Sequence, residues 1–138
     1  MGTIFEYPLE PLIEEHIWKI KILKTKDYCI MIGIATSDFD FNRASYNTNN
    51  NFGWYYYCYY GSLYSGQPHN YQDKSMNLKS KINEVIVVMN MKKRSLKFII
   101  DGEDKGDSYI DIPLDKPIFP SVLLFYKDNC IEIIEINN

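Results

Sequence analysis

Along most of this chain, apolar residues recur every second position in short runs separated by polar, glycine- or proline-bearing stretches. That period belongs to strands whose two sides differ, not to helices. Residues 16–23 alternate, with Trp18, Ile20 and Ile22 expected inward and Lys19 and Lys21 in water. Residues 28–35 and 84–91 are apolar on both faces, the mark of strands covered on two sides. Further strands are expected at 96–100, 109–112, 119–126 and 130–136, joined by turns at 92–94, 101–106, 113–117 and 127–129. Residues 1–13 carry Pro8 and Pro11 and read as an extended lead-in to the domain that begins at 14, with Ile4, Phe5 and Leu9 tucked onto it and one helical turn at 12–15. Nothing resembles a helix of three turns. Seven or eight strands at this spacing predict an all-β fold, a two-sheet antiparallel β-sandwich.

The densest run is 52–66, Phe-Gly-Trp-Tyr-Tyr-Tyr-Cys-Tyr-Tyr-Gly-Ser-Leu-Tyr-Ser-Gly. Aromatics fit a pleated, half-buried surface and crowd a helix, so this is a strand. Alternation puts Trp54, Tyr56, Cys58 and Tyr60 on one face and Tyr55, Tyr57 and Tyr59 on the other. The first face belongs to the core. The second either lies beneath a loop, cross-pairs with neighbouring strands, or forms an exposed aromatic surface. Loops flank the run: 38–51, mixing Asp and Asn with Phe39, Phe41 and Tyr46, and 67–81, which is polar. Long loops of this kind are commonly functional or disordered.

Composition narrows the partner classes. A chain of 138 residues, 46% hydrophobic, is long enough for one domain with a substantial core. A net charge of −3 and a pI near 5.3 disfavour nucleic acid and anionic membranes, which call for concentrated positive surface. No apolar run approaches the roughly 20 residues of a membrane span, and the N-terminus lacks the order of a signal peptide. Cys29, Cys58 and Cys130 are odd in number, far apart and within strand-like runs. They read as buried, reduced thiols of a cytoplasmic protein.

Catalytic chemistry is thinly represented. His16 sits in a strand; His69 lies in a polar loop with no nucleophile placed near it by sequence. The 61–66 glycine run lacks the features of a phosphate loop or a nucleophile elbow. The 38–42 acidic spacing opens like a calcium loop, but Arg43 replaces the required glycine. No cofactor, metal or catalytic residue is expected.

Several landmarks resemble those of the SPRY domain family. Glu15-His16-Ile17-Trp18-Lys19-Ile20 looks like the family's opening strand, and Ile32-Gly33-Ile34-Ala35 like the strand that follows. Gly53-Trp54-Tyr55 resembles its Gly-Trp strand. Ile86-Val87-Val88-Met89-Asn90, Ser95-Leu96-Lys97-Phe98, Asp101-Gly102 and Gly106 resemble its most specific hairpin; Ile118-Phe119-Pro120-Ser121-Val122 is similar to its later proline-bearing strand. Asn90 and Asp101 exchange the family's usual Asp and Asn, yet both keep a side-chain oxygen for bonding local backbone. The resemblance implies a concanavalin-like jelly-roll sandwich of the plain SPRY type. It also implies protein–protein recognition without enzymatic activity, often within ubiquitin-ligase or scaffold assemblies. Carried over by position, it points to Tyr57, Tyr59, Phe125, Tyr126 and Lys127 as partner-binding residues, with Tyr46 added from the 38–51 loop. Tyr126-Lys127 stands where short-peptide binders of the family usually have Trp-Gly. The alternative is a glycan-binding β-sandwich lectin, since rings and amides on strands also suit sugars.

Overall fold

Among the described residues, the β-branched and aromatic runs, together with one charged edge run, form ten strands in two antiparallel sheets. The structure is a computed structural model that describes residues 2–4, 7–25, 27–37, 53–59, 61–65 and 81–137. The strands are β1 (Gly2–Ile4), β2 (Glu15–Lys24), β3 (Ile30–Ala35), β4 (Gly53–Tyr57), β5 (Ser62–Ser65), β6 (Glu84–Asn90), β7 (Ser95–Ile100), β8 (Glu103–Tyr109), β9 (Phe119–Leu124) and β10 (Cys130–Asn137). One sheet runs β1-β9-β3-β4-β5 and the other β10-β2-β6-β7-β8.

Between the sheets lies the main core. Trp18 and Ile20 of β2, Ile30, Ile32 and Ile34 of β3, Trp54 and Tyr56 of β4, Val85, Val87 and Met89 of β6, Leu96 and Phe98 of β7, and Val122 of β9 meet there. Alternation thus sorts β2 and β4 onto the faces expected of them. A second apolar cluster lies on the opposite side of the first sheet: Met31, Ala35, Tyr55, Tyr57, Tyr64 and Leu123, with Phe125 packed against it. This explains why β3 is apolar on both faces. Gly33 is the necessary exception in that strand, because a Cβ there would collide with the Trp54 carbonyl oxygen on β4.

The turns use the expected side chains. The Asn90 Oδ1 accepts the Lys93 N–H at 2.8 Å, and the Asp101 carboxylate accepts the N–H groups of Asn83 (3.0 Å) and Glu84 (2.9 Å). Asp101 and Gly102 both have positive φ, 48° and 85°, and close a two-residue hairpin. That tight turn corrects the expected loop at 101–106 and strand at 109–112: β8 starts at Glu103 and ends at Tyr109.

Other expectations also shift. The tyrosine strand ends at Tyr57, where a turn closed by the Gly61 N–H to Tyr57 carbonyl bond (2.9 Å) leads into β5, so Ser62–Ser65 form a strand of their own. No helical turn forms at 12–15; residues 11–14 make a turn and bends that leave Leu12 exposed, and β2 begins at Glu15. Phe119 is half-buried, because alternation gives the core side to Ile118 and Val122 and leaves Phe119 on the opposite face. Within the lead-in, β1 pairs with β9 and Leu9 reaches the main core. The 38–51 loop, including Tyr46, and most of the 67–81 loop lie outside the described residues.

Candidate functional site

Three chain segments converge at one end of the β9-β3-β4 sheet. From β3, the Ile30 carbonyl accepts the Cys58 N–H at 2.9 Å, holding the β4–β5 turn. The adjacent Cys29 carbonyl accepts the Phe125 N–H at 3.2 Å, holding the turn after β9. Asn129 locks the second turn. Its Nδ2 donates to the same Cys29 carbonyl at 3.3 Å, its Oδ1 accepts the Thr25 hydroxyl at 2.9 Å, and its backbone N–H reaches the Tyr126 carbonyl at 3.1 Å. Thr25 in turn receives the Tyr28 N–H at 2.9 Å, and Tyr28 adopts a positive φ of 57°. In the sequence Asn129 has only the look of a turn residue. Its bonds reach about a hundred residues back along the chain, and no local sequence pattern reports that.

On this frame sits an aromatic cluster. The Tyr57 ring lies 6.1 Å from Tyr59 and 6.0 Å from Phe125, tilted by 37° and 52°, both within the range of favourable ring pairs. Tyr59 is 43% exposed and Tyr126 is 48% exposed; Phe125 is half-buried and Lys127 exposed. Tyr57 departs from expectation. At 3% exposure it presents no surface, because its ring belongs to the second apolar cluster. It supports the exposed rings from below. Four of the six expected residues, Tyr59, Phe125, Tyr126 and Lys127, thus lie on two turns joined through β3. Tyr57 lies beneath them and Tyr46 lies outside the described residues.

Deeper in the sheet, the Tyr55 hydroxyl shares a 2.7 Å hydrogen bond with the Ser121 hydroxyl, and the Tyr109 hydroxyl donates to the Tyr55 carbonyl at 2.9 Å. Burial pushes both phenols, and that of Tyr56, well up from the ordinary tyrosine value, so they stay protonated donors. Burial likewise raises the Cys58 thiol, which makes it a poor nucleophile. No disulfide forms, Cys29 is half-buried, and Cys130 is exposed, correcting the expectation that all three thiols are buried. The His16 Nε2 hydrogen-bonds the Glu10 carbonyl at 2.9 Å, a structural role. Among the described residues no group of three or more His, Cys, Asp or Glu is arranged to hold a metal.

The fold that carries these residues is that of a known module. The SPRY domain family model matches residues 15–137, nearly the whole chain, and the chain belongs to that family. The family is in general a protein–protein interaction module, and its domains are generally non-catalytic. Among solved structures, the SPRY domain of human HERC1 is similar over 100% of this chain and 80% of its own, with a TM-score of 0.73 at 17% identity. A second human SPRY domain aligns over 96% of this chain and 82% of its own, with a TM-score of 0.73 at 13% identity. The TRIM65 PSpry domain aligns over 99% of this chain and 71% of its own, at 0.69 and 11%. At such identities the likeness establishes the fold. No curated protein matches the chain in sequence.

Proposed function

We propose that this SPRY domain is a non-enzymatic adaptor that binds a peptide or protein partner at the joined turns after β4 and β9. Tyr59 and Tyr126 are the apolar anchors, Phe125 fills the space between ring and sheet, Lys127 contributes to a polar rim, and Tyr57 fixes the platform. The observation that carries this reading is the pair of exposed tyrosines on turns tied to the same strand, next to a buried ring cluster. Tyrosine suits such a role because it brings large contact area and a hydroxyl at low conformational cost. Tyr46 is a further partner-binding residue in this proposal. The partner belongs to a ubiquitin-ligase or scaffold assembly in the cytoplasm, a setting in keeping with three unpaired cysteines.

The test is Tyr59→Ala combined with Tyr126→Ala, followed by affinity capture from lysate of the source cell. Partners of the wild type should be lost or weakened by about tenfold or more, as for interface anchors. If the folded double variant keeps every partner, the site is wrong. On a glycan array the wild type should show no selective binding.

A further inference from the structure

Among the described residues four strands end the two sheets, and they are not equally closed to another strand. β1 has three residues and β5 four. β8 is longer, but it carries charges of both signs, its register with β7 breaks twice, and Gly106 sits at a φ of 75°. Such features blunt an edge. β10 lacks them. It has eight residues with no lysine or proline, its register with β2 is regular from Ile131 to Glu135, and no described strand pairs with its other side. Ile133 and Ile136 are 44% and 48% exposed.

Directly opposed residues in an antiparallel pair share a face. Ile133 opposes Ile20 and Glu135 opposes Trp18, so both lie on the side of the sheet that faces the core. Glu132 opposes Lys21 and Ile134 opposes Lys19, on the outer side. Both glutamates are exposed, and neither forms an ion pair among the described residues. A carboxylate on the core side of an edge strand disfavours a neutral or acidic neighbour and favours a basic one.

The geometry points to β10 as a second docking edge, distinct from the aromatic site, that takes an extended strand of another protein by β-addition. Its Glu132-Ile133-Ile134-Glu135 run selects a strand reading basic-apolar-apolar-basic. The run is symmetric, so that complement fits in either orientation. Main-chain bonds supply affinity and the alternating side chains supply choice. The chain offers an internal precedent for one of these contacts, because β2 sets Lys21 opposite Glu132. A second copy of this chain is a poor occupant. Pairing β10 with itself gathers four carboxylates in one ribbon with no cation from either strand.

The probe is a capped peptide, Thr-Lys-Val-Val-Lys-Thr, titrated into isotope-labelled protein, with Thr-Glu-Val-Val-Glu-Thr as its counterpart. The lysine peptide should move amide signals within 130–137, and the glutamate peptide should bind at least about tenfold more weakly. Salt should weaken the lysine peptide's binding. In the double variant Glu132→Lys, Glu135→Lys, the preference should invert. Both side chains are exposed, and an unchanged thermal midpoint would verify the fold. Equal binding of the two peptides, no binding of the lysine peptide, or signal changes confined to other strands would overturn the proposal. So would sedimentation of the wild type as a dimer with its 130–137 amides protected, which would give the edge to a second copy.

Discussion

The outer sides of the two sheets are built to opposite plans. On the β1-β9-β3-β4-β5 sheet, Met31, Ala35, Tyr55, Tyr57, Tyr64 and Leu123 are each 5% exposed or less. On the β10-β2-β6-β7-β8 sheet, Lys19 and Glu84 pair at 3.5 Å with about a quarter of each side chain in water (25% and 28%), and Lys97 pairs with Asp104 at 2.9 Å. Ile86 and Ile99, opposite each other, are half-buried. Rings and aliphatics withdrawn from water contribute roughly 25 cal/mol per Å2. Exposed ion pairs contribute about 0–1 kcal/mol. The tyrosine side therefore holds stability, and the proposed recognition surface lies at its margin, where Tyr59 and Tyr126 are exposed.

Substitutions on the tyrosine side should cost most. Gly33→Ala is expected to lose about 4 kcal/mol or to prevent folding, because the new Cβ meets backbone of β4 that yields only if the strands part. A urea midpoint near that of the wild type would show that β3 and β4 have room to spare. Tyr57→Ala should cost about 3 kcal/mol, as for a buried ring, whereas Tyr126→Ala should stay within about 0.5 kcal/mol in the same denaturation assay. Equal losses at the two positions would erase the distinction between support and surface. Tyr55→Phe removes one buried hydrogen bond to Ser121 and should cost about 1 kcal/mol. Its counterpart on the other sheet, Lys19→Gln, breaks an exposed pair and should cost less than about 0.5 kcal/mol.

Much of this contrast is visible in the chain itself, and its limits have physical causes. Alternation sorts Trp54 and Tyr56 from Tyr55 and Tyr57 because a strand has two sides whatever lies beyond them. It does not count layers, so the burial of Tyr57 and the exposure of Tyr59 could not be told apart. The turn ending at Gly61 makes that difference by lifting Tyr59 out of the strand. β8 was hidden for the reverse reason. Its Glu103-Asp104-Lys105-Gly106-Asp107 run is an edge facing water and carries no apolar period, although the Asp101-Gly102 turn that launches it is a strong hairpin signal. The frame around Asn129 was hidden because its partners, Thr25 and Cys29, are remote in sequence.

The smallest expected effect tests whether the charged side of the second sheet matters to stability. Asp104 accepts the Gly106 N–H at 2.8 Å and the Lys97 ammonium at 2.9 Å; these contacts, the backbone bond foremost, hold its carboxyl below the ordinary range. The hydrogen bond to Asp104 holds the Lys97 ammonium above its ordinary value. For a carboxyl lowered by folding, the stabilisation is present above its unfolded value, about pH 4, and is lost as pH falls through the folded value. For an ammonium raised by folding, it is present below its unfolded value, about pH 10.4, and is lost as pH rises through the folded one. Asp104→Asn keeps an oxygen for Gly106 but removes the charge, so it should flatten both limbs of a stability–pH curve. Because Asp104 is 50% exposed, water screens the pair, and the change should be smaller than that of Tyr55→Phe and shrink further in high salt. Urea midpoints of the two proteins from pH 3 to 11 measure it. Parallel curves would mean that the pair contributes nothing, and that this face serves solubility and edge protection alone.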